Sequence, residues 1–193
     1  MKPKSAKLNI TGIILAGGKS RRMGMDKGLI LYKGKPMISY SIDLLAKFCG
    51  RVLLSSSSNI YDSFGLERVP DLIENAGPMA GLLSCLKKSN TEINLCLPCD
   101  TPEMTEDIVS HLIDVANENP GKCIVPLTPL AEPLTGIYPL SVIPVLESLL
   151  NNNDHRMTSI FSHFPVKYVP MDEFQANYNK DIFKNINSAN DLQ

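Results

Sequence analysis

Residues 10–16, ITGIILA, carry no charge and run into Gly17 and Gly18. A continuously β-compatible run of that length ending in glycine predicts a central parallel strand feeding a loop. From Pro36, suited to the first turn of a helix, the period changes: Ile38, Ile42, Leu45 and Cys49 mark one face at helical spacing. RVLLSS (51–56) and LERVP (66–70) then read as short buried strands bounded by polar residues. After ENAGPMAG (74–81), Leu82, Leu83 and Leu86 trace a helix, and INLCLPCD (93–100) is a fourth strand. Ile108, Val109, Leu112, Ile113 and Ala116 give another amphipathic helix. Beyond Cys123 the rhythm loosens. KCIVPL (122–127), LTGIYPL (134–140) and VKYVPM (166–171) read as strands, one of them antiparallel, with a helix through Leu146 and Leu150. NSANDL (187–192) predicts a closing helix capped by Ser188 or Asn187.

Strands alternating with helices predict an α/β fold: three layers around a doubly wound, mostly parallel, Rossmann-like sheet with one antiparallel strand, rather than a barrel. At 193 residues and 44% hydrophobic, the chain fits one domain over 1–193, with residues 1–8 expected as a flexible tail. That tail and the run after it faintly imitate a secretory signal, but Asn9 and Thr11 interrupt the apolar stretch and Gly18 stands where a lipoprotein signal needs cysteine. No apolar run reaches the roughly twenty residues of a membrane span.

A net charge of −1 gives no overall field for nucleic acid or an anionic membrane. Nine of the nineteen Lys and Arg residues nevertheless lie between Lys2 and Lys35, where Asp26 is the only acid, so the amino-terminal part suits a polyanionic ligand. Cys49, Cys85, Cys96, Cys99 and Cys123 sit mostly in apolar segments, as reduced core thiols do, which favours the cytoplasm. CLPC (96–99) ends a strand instead of opening a helix, and no histidine pair completes a zinc set, so it reads as structural.

In open α/β sheets ligands bind beyond the carboxyl ends of the strands. The residues collected there are Gly17, Gly18, Arg22 and Lys27 after the first strand, Asp71 after the third and Asp100 after the fourth. Glycines let a phosphate approach backbone N–H groups, and Arg and Lys supply countercharge, so the loop suits a nucleoside triphosphate. It is not a Walker A loop, because Met23 occupies the place of the required glycine, and no GxGxxG fingerprint appears.

LAGGKSRRMGMDK (15–27) resembles the signature loop of the molybdenum cofactor guanylyltransferases, a family of the nucleotidyltransferase superfamily. GKP (34–36), PD (70–71), GPMAGL (77–82), PCDTP (98–102) and NIN (185–187) follow in the same order. The resemblance implies a nucleotidyltransferase that moves GMP from GTP onto molybdopterin with Mg2+. It implies that Leu15, Ala16, Gly17 and Gly18 read the guanine and phosphates, that Arg22 and Lys27 face the triphosphate, and that Asp71 lies by the nucleoside. Asp100 would bind magnesium, and Asn185 and Asn187 would lie on the molybdopterin side. Apo-molybdoenzymes and cofactor-insertion proteins are the implied protein partners. Two positions depart from the family pattern: Ser55 stands where several relatives carry a nucleotide-holding asparagine, and Ser188-Ala189 stands where Thr-Pro is usual.

Plainer roles compete at each position. Asp100 reads either as a metal ligand or as the cap of the following helix, and Asp71 equally as an ordinary Pro-Asp turn. Gly77 and Gly81 read first as the bend into a helix, Asn185 and Asn187 also as turn residues, and Glu132 as an exposed loop acid. The rival functions are transfer of CMP to molybdopterin, a sugar-phosphate nucleotidyltransferase of the same fold, and a non-catalytic nucleotide or cofactor carrier.

Overall fold

The computed structural model describes residues 9–16, 26–174 and 180–183. Residues 1–8, Gly17, Gly18, Arg22, Asn185, Asn187 and the closing helix lie outside them. A seven-stranded sheet is built from β1 (Ile10–Leu15), β4 (Arg51–Ser55), β5 (Glu67–Val69), β6 (Ile93–Pro98), β7 (Cys123–Leu127), β8 (Gly136–Tyr138) and β9 (Val166–Pro170). Its order is β5-β4-β1-β6-β8-β7-β9. Only β8 runs against its neighbours, pairing antiparallel with both β6 and β7. A small antiparallel hairpin, β2 (Leu31–Tyr32) and β3 (Lys35–Pro36), precedes the first helix. The apolar-run signal did not reveal it, because each strand has two residues and no buried face.

Four helices cover the sheet: α1 (Met37–Phe48), α2 (Pro78–Lys88), α3 (Glu106–Glu118) and α4 (Ile143–Asn151). Period-2 alternation divides the strands between two cores. Ile10, Ile14, Leu54, Leu95, Leu97 and Ile124 pack on the side of α1 and α3. Ile13, Leu15, Leu53, Cys96, Cys123 and Val125 pack on the side of α2 and α4. Every residue of β1 is buried, Thr11 included, as a strand covered on both faces requires. In α3 the buried residues are Ile108, Val109, Leu112, Ile113 and Ala116, the set its period marks, and Thr105 caps the helix by accepting the Ile108 N–H. Asp100 is therefore not the cap. Pro36 stands at the N-cap of α1, one residue before the first turn. No described helix is long and apolar enough to cross a membrane.

The register fixes where chemistry can gather. Leu15 is level with Ser55 on one side and Pro98 on the other, and Ser55 is level with Val69. Four strands thus end in one row. From β1 the chain winds outward through β4 and β5, whereas β6 lies on the opposite side of β1, so the crevice beyond β1 and β6 is the topological switch point where α/β sheets bind ligands.

Candidate functional site

Lys27 opens the short 3-10 turn Lys27–Leu29 that follows the β1 loop, and Asp100 lies two residues beyond the end of β6. Separated by 73 residues, they meet: Lys27 Nζ is 3.3 Å from Asp100 Oδ2. The Lys27 side chain is 24% exposed and that of Asp100 11%, so the pair is mostly buried but still reaches the surface. Burial pushes the Asp100 carboxyl up, and the Lys27 ammonium opposes that shift without cancelling it. A desolvated carboxylate of this kind gains from an added cation.

The turn that aims Lys27 is itself held. Asp26 accepts the Gly28 N–H at 3.2 Å and a short hydrogen bond from the Tyr61 hydroxyl. Tyr61 is 1% exposed, and a Cβ on Gly28 would lie 2.6 Å from its hydroxyl oxygen, so the turn and the ring require glycine there. Sequence reasoning missed Tyr61 as a support for the lysine. It lies 35 residues from Asp26 inside a 3-10 segment, and no motif marks it.

Along the same edge Ser55 Oγ donates to Asp71 Oδ1 at 3.0 Å. Burial raises the Asp71 pKa, and the Ser55 hydrogen bond works against the rise. The backbone beyond Asp71 is anchored by Ser84, whose Oγ accepts the Leu72 N–H at 2.9 Å and donates to the Ala80 carbonyl at 2.7 Å. Gly81 has a more specific role than bending the chain. A Cβ there would stand 2.1 Å from Ser55 Oγ and 3.3 Å from Asp71 Oδ1, so its bare backbone is what leaves room for the Ser55–Asp71 contact.

The structure therefore brings Leu15, Ala16, Lys27, Ser55, Asp71 and Asp100 to one edge of the sheet. The Ala16 N–H is bound to the Ser55 carbonyl at 3.0 Å and the Leu15 carbonyl accepts the Cys99 N–H at 3.2 Å. Those two groups are committed to the fold. Glu132 takes part in its own loop, accepting from Thr128 Oγ1 at 2.6 Å.

Among the described residues no group of three or more His, Cys, Asp or Glu side chains could hold a metal. A magnesium ion needs fewer protein ligands than that, since it keeps waters and takes one or two carboxylates plus substrate phosphates. One buried carboxylate, Asp100, matches that donor set. The cysteines do not: all five are free and buried, burial raises the Cys49, Cys85 and Cys123 thiols to about 12, and it pushes Cys96 and Cys99 up as well. As thiols they are poor nucleophiles and poor metal ligands.

Residues 12–168 match a family model described as the MobA-like NTP transferase domain. The chain is 32% identical over 183 residues to a Flavobacterium johnsoniae protein named "Probable molybdenum cofactor guanylyltransferase", covering 95% of this chain and 94% of that one. It is likewise 32% identical over 194 residues to a molybdenum cofactor guanylyltransferase of Cupriavidus metallidurans, covering 95% and 93%. Among solved structures it resembles molybdopterin-guanine dinucleotide biosynthesis protein A from Archaeoglobus fulgidus, with TM-score 0.81, 21% identity and 94% of each chain covered. A 4-diphosphocytidyl-2C-methyl-D-erythritol synthase from Anaerococcus prevotii shares the fold at TM-score 0.69 and 15% identity, over 95% of this chain and 92% of that one.

Proposed function

The chain belongs to the MobA-like NTP transferase family, and from that premise we propose that it is a molybdenum cofactor guanylyltransferase, moving GMP from GTP onto molybdopterin and releasing pyrophosphate. The observation that carries the mechanism is the meeting of Lys27 and Asp100 at 3.3 Å across the switch point. The terminal phosphate of molybdopterin attacks the α-phosphorus of GTP in line. One P–O bond forms there as the bond to the β-phosphate oxygen breaks, and pyrophosphate leaves with that electron pair. The attacking phosphate oxygen is already ionised near neutral pH, so no side chain has to take a proton from it. This accords with a described site that contains no histidine and no thiolate.

The protein's part is alignment and neutralisation of charge. Lys27, held by the Asp26 and Tyr61 contacts, puts its ammonium on the triphosphate, where negative charge grows as pyrophosphate departs. Arg22, in the same basic loop, adds a second cation. Asp100 would hold magnesium, which when bound neutralises and orients phosphate oxygens. Asp71, kept in place by Ser55 and by the Ser84 anchor, accepts from the nucleoside. Gly17 and Gly18 offer backbone N–H groups, and Asn185 and Asn187 serve the molybdopterin side. The free thiols suit a reducing compartment, the cytoplasm.

A thermal-shift series with GTP, CTP, ATP and UTP in the presence of magnesium tests the donor. GTP is expected to give the largest rise in melting temperature, and a larger rise with CTP would reassign the base. Pyrophosphate release from GTP with metal-loaded molybdopterin tests the transfer, and nucleotide binding without release would make the protein a carrier.

A further inference from the structure

Of the buried side-chain polar atoms in the described residues, only Thr101 Oγ1 has no hydrogen-bond partner. Thr101 is 2% exposed and directly follows Asp100. A hydroxyl shut away from water without a partner opposes folding, and valine would fill the same volume without that cost. Packing alone therefore does not account for threonine here.

The local structural tasks around it are already assigned. Thr105 caps α3 with its own hydroxyl. The Met104 N–H goes to the Thr101 carbonyl at 3.3 Å, so the turn is closed by backbone. The end of β6 is held by Ser41, whose hydroxyl donates to the Pro98 carbonyl at 2.9 Å. The Thr101 hydroxyl serves none of these, and Thr101 itself directly follows the residue whose carboxylate meets Lys27 at the carboxyl edge of the sheet.

We infer that Thr101 is a substrate-binding residue whose hydroxyl donates to an oxygen of the bound magnesium–triphosphate complex. The inference rests on the nucleotidyltransferase reading of the site. The partner of the hydroxyl is an oxygen that arrives with the nucleotide. Its hydrogen bond to an anionic acceptor is of the stronger, charge-assisted kind.

Thr101→Val separates this role from a structural one. Without nucleotide, the variant is expected to melt at or above the wild-type temperature, because a buried orphan has been removed. With GTP and magnesium its melting temperature should rise much less than that of the wild type, and kcat/KM for pyrophosphate release should fall about tenfold or more. Thr101→Ser, which keeps the hydroxyl, should retain most of the nucleotide-induced rise. If the valine packs poorly, Thr101→Ala provides the same comparison of free and nucleotide-bound melting. A full nucleotide-induced rise in the valine and alanine variants would overturn the inference. So would a loss of stability that is equal with and without nucleotide, since that marks a hydroxyl serving the fold through a resident water. A wild type that does not respond to GTP would instead overturn the function on which the inference stands.

Discussion

The two ends of the sheet treat buried polar groups in opposite ways. At the amino ends of β1 and β6, Thr11, Ser89, Thr91 and Asn94 close on one another. Thr91 Oγ1 donates to Thr11 Oγ1 at 2.8 Å, Ser89 Oγ donates to the same oxygen at 3.0 Å, and Asn94 Nδ2 donates to the carbonyls of Thr91 and Tyr138 at 2.9 and 3.0 Å. Beyond the carboxyl ends of the same strands, Asp71 and Asp100 are buried enough to have raised pKa values and Thr101 has a hydroxyl with no partner. A network satisfied by protein atoms fixes strand β1 against β6. Under the proposed function, the less completely satisfied set at the other end is where the nucleotide and its metal would bind. The residue types at the two ends overlap, so what distinguishes them is the closure of the hydrogen bonds.

Substitutions at the carboxyl end should affect chemistry and those at the amino end stability. The largest effect is expected for Lys27→Ala and Asp100→Ala: pyrophosphate release should fall by about 10²–10³, with circular dichroism and melting close to the wild type. Thr11→Val makes at the amino end the same change that Thr101→Val makes at the carboxyl end. It removes the acceptor that Thr91 and Ser89 share, and leaves them the Ile93 carbonyl at 3.0 Å and each other at 3.2 Å, at a cost of about 0.5–1.5 kcal/mol, a fall of roughly 2–4 °C in melting temperature for each kcal/mol, while kcat and KM stay unchanged. A kinetic effect from Thr11→Val, or a purely thermal one from Asp100→Ala, would break the comparison.

Gly81→Ala is expected to be intermediate. In an exposed helix this change gains up to about 1 kcal/mol in propensity. Here the new Cβ meets Ser55 Oγ, so KM for GTP should rise about tenfold, the value of one lost hydrogen bond to a charged acceptor. Ser55→Ala should match it in steady-state kinetics. The smallest effect is a pH dependence. Because burial holds the Asp71 proton in the native state above the ordinary carboxyl value, the native protein binds more protons than the unfolded chain over that window, and stability falls as pH rises through it. The melting temperature of the wild type relative to Asp71→Asn should therefore climb as pH drops from 7 towards 4. An unchanged difference would show that the carboxyl is not desolvated.

The fold was legible because apolar period and turn residues agree along most of the chain. The run 10–16, the face of α3 and the loosening after Cys123 each correspond to an observed element, and the single antiparallel strand came out of that loosened region. The β2–β3 hairpin escaped because two-residue strands carry no period. At the site, Lys27, Asp71 and Asp100 could be read as residues following strand ends, since parallel strands in register bring their ends together. What sequence could not supply was contact across long separations: Tyr61 holding Asp26, Ser84 anchoring Leu72, and Gly81 making room for Ser55. Thr101 lay in plain view within PCDTP, but a hydroxyl without a partner is visible only after every neighbour has been placed.

The most direct test is the position of the triphosphate in a crystal structure with magnesium and a GTP analogue that resists transfer. The account predicts Lys27 Nζ at hydrogen-bond distance, about 2.7–3.2 Å, from a phosphate oxygen and the Asp100 carboxylate on the metal. A triphosphate seated away from the ends of β1 and β6, touching neither side chain, would contradict it.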